Sequence, residues 1–147
     1  MDWPGPRTNI VTPSCENSAS PLPSNRHTRP RGPRSYHWEA DQEDFLVLSG
    51  EALLLVEGEE RPLRAWDFVH CPAGADHTIV GAGAGPAVIV ATGARVDSIG
   101  ENWGGYPVHE VAVRHDASAE HETTDPQEAY ARFPDRRPAT YEEGWLP

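Results

Sequence analysis

The sequence predicts an all-β domain, a small sandwich or barrel of short strands joined by tight turns. Three observations carry that prediction. Pro (15) and Gly (13) together make up 28 of the 147 residues, a density that breaks long helices and suits turns. Between residues 45 and 91 the apolar residues fall in runs of five or fewer, a length that favours buried strands over helices. Turn-forming residues separate the runs at intervals of roughly 8–12 residues, the spacing of a sandwich or barrel. A chain of this length can bury roughly two-thirds of its unfolded surface, enough for one core.

The elements follow in order. Residues 1–36 hold seven prolines and five serines, with five Arg against Asp2 and Glu16, a net charge of +3 opposite in sign to the acidic remainder. Apolar residues there lack any period and Pro interrupts each potential ladder, so residues 1–35 read as a disordered arm. Phe45-Leu46-Val47-Leu48 and Ala52-Leu53-Leu54-Leu55-Val56 read as buried strands parted by Ser49-Gly50. Glu57-Gly58-Glu59-Glu60 is a polar turn leading into a hairpin partner, Arg61 to Arg64. Further strands are expected at Phe68-Val69-His70-Cys71, His77-Thr78-Ile79-Val80 and Ala87-Val88-Ile89-Val90-Ala91, punctuated by Pro72-Ala73-Gly74 and the Gly/Ala run 81–85. Pro107 to Val113 alternates enough to suggest one more strand. Near 126–132 a short helix is expected, with Asp125 as N-cap, Pro126 at the first helical position and Glu128 three residues after the cap. The organisation is thus an arm (1–35), a barrel (36–115) and an acidic C-terminal segment (116–147) whose last dozen residues read as a loose tail.

Charge and composition exclude several function classes. The net charge of −11 repels phosphates, so neither nucleic acid nor an anionic membrane is an expected partner. All 12 basic residues are Arg, which removes Schiff-base chemistry, a phosphate-binding Walker lysine and a lysine general base. With only Cys15 and Cys71, a disulfide framework is not expected and a reducing compartment is. No apolar run reaches the ~18 residues of a membrane span, and Met1 to Ile10 holds no secretory h-region, so the expectation is a soluble, cytoplasmic protein. No Gly-x-Ser-x-Gly elbow or Ser-His-Asp order supports acyl transfer. Cys71 reads as a small buried residue, not a nucleophile.

The chemistry-bearing residues cluster at two places. In an extended chain, His37 and Glu39 project to one face. Glu43 lies four beyond, at the mouth of the Phe45 strand, and His77 opens a later strand after the Pro72-Ala73-Gly74 turn. Two imidazoles and two carboxylates converging inside a barrel form a metal site suited to Fe(II), Mn(II), Ni(II) or Zn(II), and the lack of thiolates argues against a structural zinc. The alternative for each is a hydrogen-bonded polar residue in a metal-free barrel, and for Glu39 a strand-end carboxylate facing solvent. Phe45, Phe68 and His70 are candidates to line the cavity, although His70 also reads as a satisfied core histidine. His109, His115 and His121, spaced six apart among acids, read as a solvated segment in preference to a second metal site.

The order and spacing of these residues resemble the cupin superfamily. Its first motif runs His-x-His, three or four residues, Glu, six residues, Gly; here His37-Trp38-Glu39 is followed by three residues, Glu43, six residues and Gly50. Its second motif runs Gly, five residues, Pro-x-Gly, two residues, His; here Trp66 is followed by five residues, Pro72-Ala73-Gly74, two residues and His77. The stretch 59–77 is similar to that of uncharacterised bacterial cupin-domain proteins. The resemblance implies a double-stranded β-helix or jelly-roll barrel, one divalent metal held by His37, Glu39, Glu43 and His77, and dioxygenase- or isomerase-type chemistry on a small-molecule substrate. A non-enzymatic barrel that binds or senses a small ligand, with or without metal, is the alternative, since no separate acid/base residue stands out beyond the four.

Three departures qualify that resemblance. Glu39 stands where most metal cupins have a second His, Trp66 stands at a turn position usually held by Gly, and residues 1–36 do not read as the strands that precede the first motif. Those strands form against propensity, or a second chain in a homodimer covers the edge, or the fold starts atypically; a bare edge would invite aggregation. Limited proteolysis is expected to remove residues 1 to about 30 without unfolding the barrel, and protection of that segment would overturn the disordered-arm expectation.

Overall fold

Residues 35–94, 103–133 and 142–145 are described by a computed structural model; the predicted arm, apart from Ser35 at its end, lies outside these residues, as does Cys15. The chain enters through Tyr36 and forms strand β1 (Trp38–Glu39), then β2 (Glu43–Ser49), β3 (Glu51–Val56), β4 (Glu59–Arg64), β5 (Phe68–Cys71), β6 (His77–Gly81), β7 (Val88–Gly93) and β8 (Gly104–Gly105). Two short helices follow, α1 (Glu110–Arg114) and α2 (Pro126–Tyr130). Strands β5-β2-β7 form one three-stranded sheet, β4-β3-β6 another, and β1 pairs β8. Every ladder is antiparallel. This is the predicted all-β architecture with its short C-terminal helix, and no helix among the described residues is long and apolar enough to cross a membrane.

Alternation along the strands fills the core between the two sheets. Phe45 and Val47 of β2, Ala52, Leu54 and Val56 of β3, Leu63 of β4 and Val69 and Cys71 of β5 form one buried cluster, against which Ile79, Ile89 and Ala91 pack. Each fully buried large aliphatic side chain contributes roughly 1.5–3 kcal/mol. Strand β4 sits at a sheet edge, which is why Pro62 is tolerated within it. The unbroken apolar run of β3 has a separate cause: its second face is also covered. Leu53 and Leu55 meet Tyr36, Val80, Val111, Ala112 and Ala117 in a second cluster.

That cover is helix α1, where the alternation of 107–113 had suggested a strand. His109 caps the helix, its Nδ1 accepting the Val111 N–H at 3.2 Å. Glu110 lies in the first turn and Arg114 in the last, each complementing the helix dipole. Val111 and Ala112 turn inward, while Val108 and Val113 are exposed. Seven residues of alternating polarity fit both periods, and the cap decides between them. Helix α2 begins as expected, with Asp125 accepting from Gln127 N–H at 2.8 Å and Pro126 in the first turn. The tail is not loose throughout, since Trp145 is buried and its carbonyl accepts from the Ser49 hydroxyl.

Turns set the path between sheets. Glu57 and Gly58 both have positive φ (47° and 79°), the two-residue hairpin geometry that matches strand twist. At Gly50, where the chain leaves one sheet for the other, φ is +80° and a Cβ would lie 2.2 Å from the Pro86 carbonyl oxygen, so no side chain fits. Trp66 adopts φ +73° although it carries a side chain, and that side chain is 67% exposed. A non-Gly residue in this region costs about 1–2 kcal/mol. Trp66→Gly is therefore expected to raise stability by about 1 kcal/mol, roughly 4 °C in Tm. Thermal unfolding of the two proteins checks this; an unchanged or lower Tm would show that the exposed indole contributes more than the strain costs.

Candidate metal centre

The site is built where β1, β2 and β6 meet. His37 and His77 form an antiparallel bridge in which each backbone N–H donates to the other's carbonyl, at 3.0 and 2.7 Å. The bridge sets the two imidazoles side by side, with ring centroids 4.7 Å apart. Glu43 enters from the first residue of β2, and its Oε2 lies 3.0 Å from His77 Nε2 and 3.5 Å from His37 Nε2. One ligand atom from each of His37, Glu43 and His77 lies within 4.8 Å of the other two. Their exposures are 3%, 2% and 2%, so bulk water does not satisfy them.

The imidazole tautomers follow from their partners. Nδ1 of His37 contacts the Ser35 carbonyl oxygen at 2.9 Å, and Nδ1 of His77 contacts that of Ala75 at 2.8 Å. A carbonyl oxygen only accepts, so both Nδ1 atoms carry protons and donate. In the neutral rings, both Nε2 atoms then present lone pairs toward Glu43, whose carboxylate also only accepts. Two Nε2 lone pairs and a carboxylate converging in this way can share a cation placed between them. The donor set fits a divalent ion: two neutral imidazole nitrogens, oriented by hydrogen bonds on their far sides, and one carboxylate.

Glu43 responds to the same charges. Burial alone would raise its pKa, but hydrogen bonding and charge from His37 and His77 outweigh burial and hold it well below the usual carboxylate range. Burial pushes the Cys71 thiol up, with the charges of Glu43 and Asp44 adding to it; Cys71 is therefore an unreactive core residue.

The structure brings three of the four expected ligands together. Glu39 is buried beside them, its Oε1 3.7 Å from His37 Nε2, but it stands outside the three-residue cluster. Phe45 packs against the site, its ring centroid 5.9 Å from that of His77. Phe68 and His70 face outward, away from the core: β5 turns Val69 and Cys71 inward, leaving Phe68 58% exposed. His70 Nδ1 instead meets Asp44 Oδ1 at 2.7 Å on the same outer face. The three C-terminal histidines have separate surface partners, His109 at the α1 cap, His115 with Glu60 at 3.1 Å and His121 with Glu128 at 3.4 Å.

Sequence reasoning missed Tyr106, whose buried ring lies 5.9 Å from that of His37 and 5.7 Å from that of Trp103. The available signal was the glycine pair just before it, since glycine in a strand marks close backbone approach. A Cβ on Gly104 would lie 2.4 Å from the Trp38 carbonyl oxygen, and one on Gly105 2.9 Å from the Trp38 indole nitrogen.

Residues 27–93 match the cupin domain family. No curated protein matches the chain. Among solved structures, a protein from Acidithiobacillus ferrooxidans provisionally assigned as a sugar phosphate isomerase is 34% identical over 43% of this chain and 42% of its own, with a TM-score of 0.41. A sugar phosphate isomerase of the cupin superfamily from Silicibacter pomeroyi is 28% identical over 42% of this chain and 41% of its own, at 0.39. A conserved Klebsiella pneumoniae protein with a double-stranded β-helix domain is 25% identical over 58% and 83%, at 0.42. The chain thus spans less than half the length of the first two.

The lowered pKa of Glu43 gives a pH prediction for metal-free protein. A carboxyl group depressed by folding stabilises above its ordinary value of 4.5 and loses that contribution as pH falls below it toward the folded value. Urea midpoints measured from pH 5 to pH 2 are expected to fall more steeply for the wild type than for Glu43→Gln. Parallel curves would mean that Glu43 is not ionised against the two imidazoles.

Proposed function

This chain belongs to the cupin superfamily, and we propose that it binds one divalent metal ion through His37, Glu43 and His77 and acts on a small molecule by isomerase- or oxygenase-type chemistry. The observation that carries this reading is the convergence of two Nε2 lone pairs and a carboxylate, all buried and all acceptors. A bound dication would act as a Lewis acid on a substrate oxygen.

The protein's own groups prepare that chemistry. The Ser35 and Ala75 carbonyls fix the orientation of the two rings, so little side-chain entropy remains to be lost on binding. Phe45 and Tyr106 pack against His77 and His37, excluding water and strengthening electrostatic interactions within the cluster. Metal uptake must displace any proton shared between His77 and Glu43, so affinity is expected to fall as pH is lowered.

Metal analysis of protein purified without an affinity tag tests the reading. Near-stoichiometric transition metal is expected in the wild type and background metal in the His37→Ala/His77→Ala double variant. Equal, negligible metal in both would sink the proposal. With metal bound, O₂ uptake on a panel of small diketones, thiols and phenols distinguishes oxygenase from isomerase chemistry.

A further inference from the structure

Two edge strands of this molecule are protected very differently. Edge strand β4 carries Glu59, Glu60, Arg61, Pro62 and Arg64, and charges and a proline of this kind discourage a further strand from pairing. Edge strand β5, Phe68-Val69-His70-Cys71, has no carboxylate, arginine or proline. Its pairing with β2 fixes which groups face the open side. Val47 N–H donates to the Asp67 carbonyl at 3.0 Å, and in the same register Val69 opposes Phe45 and Cys71 opposes Glu43. Alternation makes these the hydrogen-bonded pairs and turns the N–H and C=O of Phe68 and His70 away from β2. Among the described residues, neither backbone meets a partner on that side. The side chains of the same two residues lie on the outer face, where Asp44 Oδ1 holds the His70 ring at 2.7 Å.

We propose that this open edge is a homodimer interface, in which the β5 strands of two copies pair antiparallel about a two-fold axis at Val69 and join their β5-β2-β7 sheets into one continuous sheet. Self-complementarity argues for a second copy as the occupant. An axis at Val69 sets Phe68 opposite the partner's His70, and His70 opposite the partner's Phe68. These are the residues whose donors and acceptors point outward, so each pair exchanges both of its hydrogen bonds. A one-residue shift would set outward-pointing groups against inward-pointing ones. A two-residue shift would bring in Pro72, which has no N–H, or the turn residue Trp66. On the outer face the register places each Phe68 ring beside an imidazole that Asp44 already orients, an aromatic cross-strand contact. A ladder of four residues buries less area than a standard stable interface, so the dimer dissociates in the micromolar range. This proposal is independent of the metal reading, since β5 supplies none of the clustered ligands.

Sedimentation equilibrium of the full chain over a concentration series tests the proposal. The wild type is expected to pass from monomer to dimer. Phe68→Lys, which puts a charge on the edge, is expected to weaken dimerisation roughly tenfold or more. Val90→Lys lies on the same outer face but on β7, at the far side of the sheet, and is expected to leave the dimer within about twofold of the wild type. Both substitutions replace exposed side chains, so the fold should tolerate them. A wild type that stays monomeric overturns the proposal. So does a dimer unaffected by Phe68→Lys, or one broken equally by Val90→Lys, which would mark face-to-face packing. Amide hydrogen exchange needs no substitution: exchange at Phe68 and His70 is expected to slow as protein concentration rises, and exchange there that ignores concentration overturns the pairing.

Discussion

The two backbone hydrogen bonds between His37 and His77 join the entering chain to the central sheet at the point where the site is built. On one side lies the entering chain, whose Tyr36 N–H donates to the Ala117 carbonyl at 2.7 Å and whose ring is buried among Leu55, Val80 and Val111. On the other lies β6, in register with β3 through the Val56–His77 pair. The bridge thus ties the C-terminal segment, the entry strand and the central sheet to one point, and that point carries both imidazoles. Site geometry is then a property of sheet pairing, with each ring oriented by the carbonyl two residues before it. Rigid elements, which hold a site more tightly than loops do, set the backbone positions, and the Ser35 and Ala75 carbonyls just outside the strands set the ring orientations.

Placing Glu43 at this point has a cost that the fold must offset. Its carboxylate lies in a core flanked by Phe45, Val69 and Cys71, where an unpaired charge would be expensive. Two imidazoles within 3.5 Å supply the compensation. A dication held by the same three side chains would balance the carboxylate further, within a frame whose hydrogen bonds are already in place.

The two cupin motifs and the strand runs were legible because they depend on local spacing. Glu43, six residues and Gly50 encode a strand and the turn that ends it; Pro72-Ala73-Gly74 and His77 encode a turn that opens onto the next strand. What escaped was set by tertiary partners. The α1 segment reads equally as strand or helix until His109 is seen to cap it. Phe68 looks like a cavity residue until the register Leu46–Phe68 fixes β5 with its even-numbered residues outward; a one-residue shift would reverse every side chain. Tyr106 and the Ser35 and Ala75 carbonyls join the site from positions whose role depends on pairing with distant segments, which no local pattern announces.

The two departures from the cupin motifs differ in kind. Glu39 is a side-chain change beside the cluster, at a place where β1 and β8 pair through glycines that accommodate Trp38 and Glu39. Trp66 changes backbone energetics and lies outside the cluster. Its positive φ is over-determined by neighbours: Trp66 N–H donates to the Val47 carbonyl at 2.7 Å, Asp67 N–H to that of Arg64 at 3.0 Å, and the Asp67 carboxylate accepts from Arg64 N–H at 2.8 Å. Three hydrogen bonds, each contributing roughly 0.5–1.5 kcal/mol, can outweigh the strain of one left-handed residue. The glycine motif position therefore records the conformation that the turn imposes, and the turn retains that conformation after the glycine is gone.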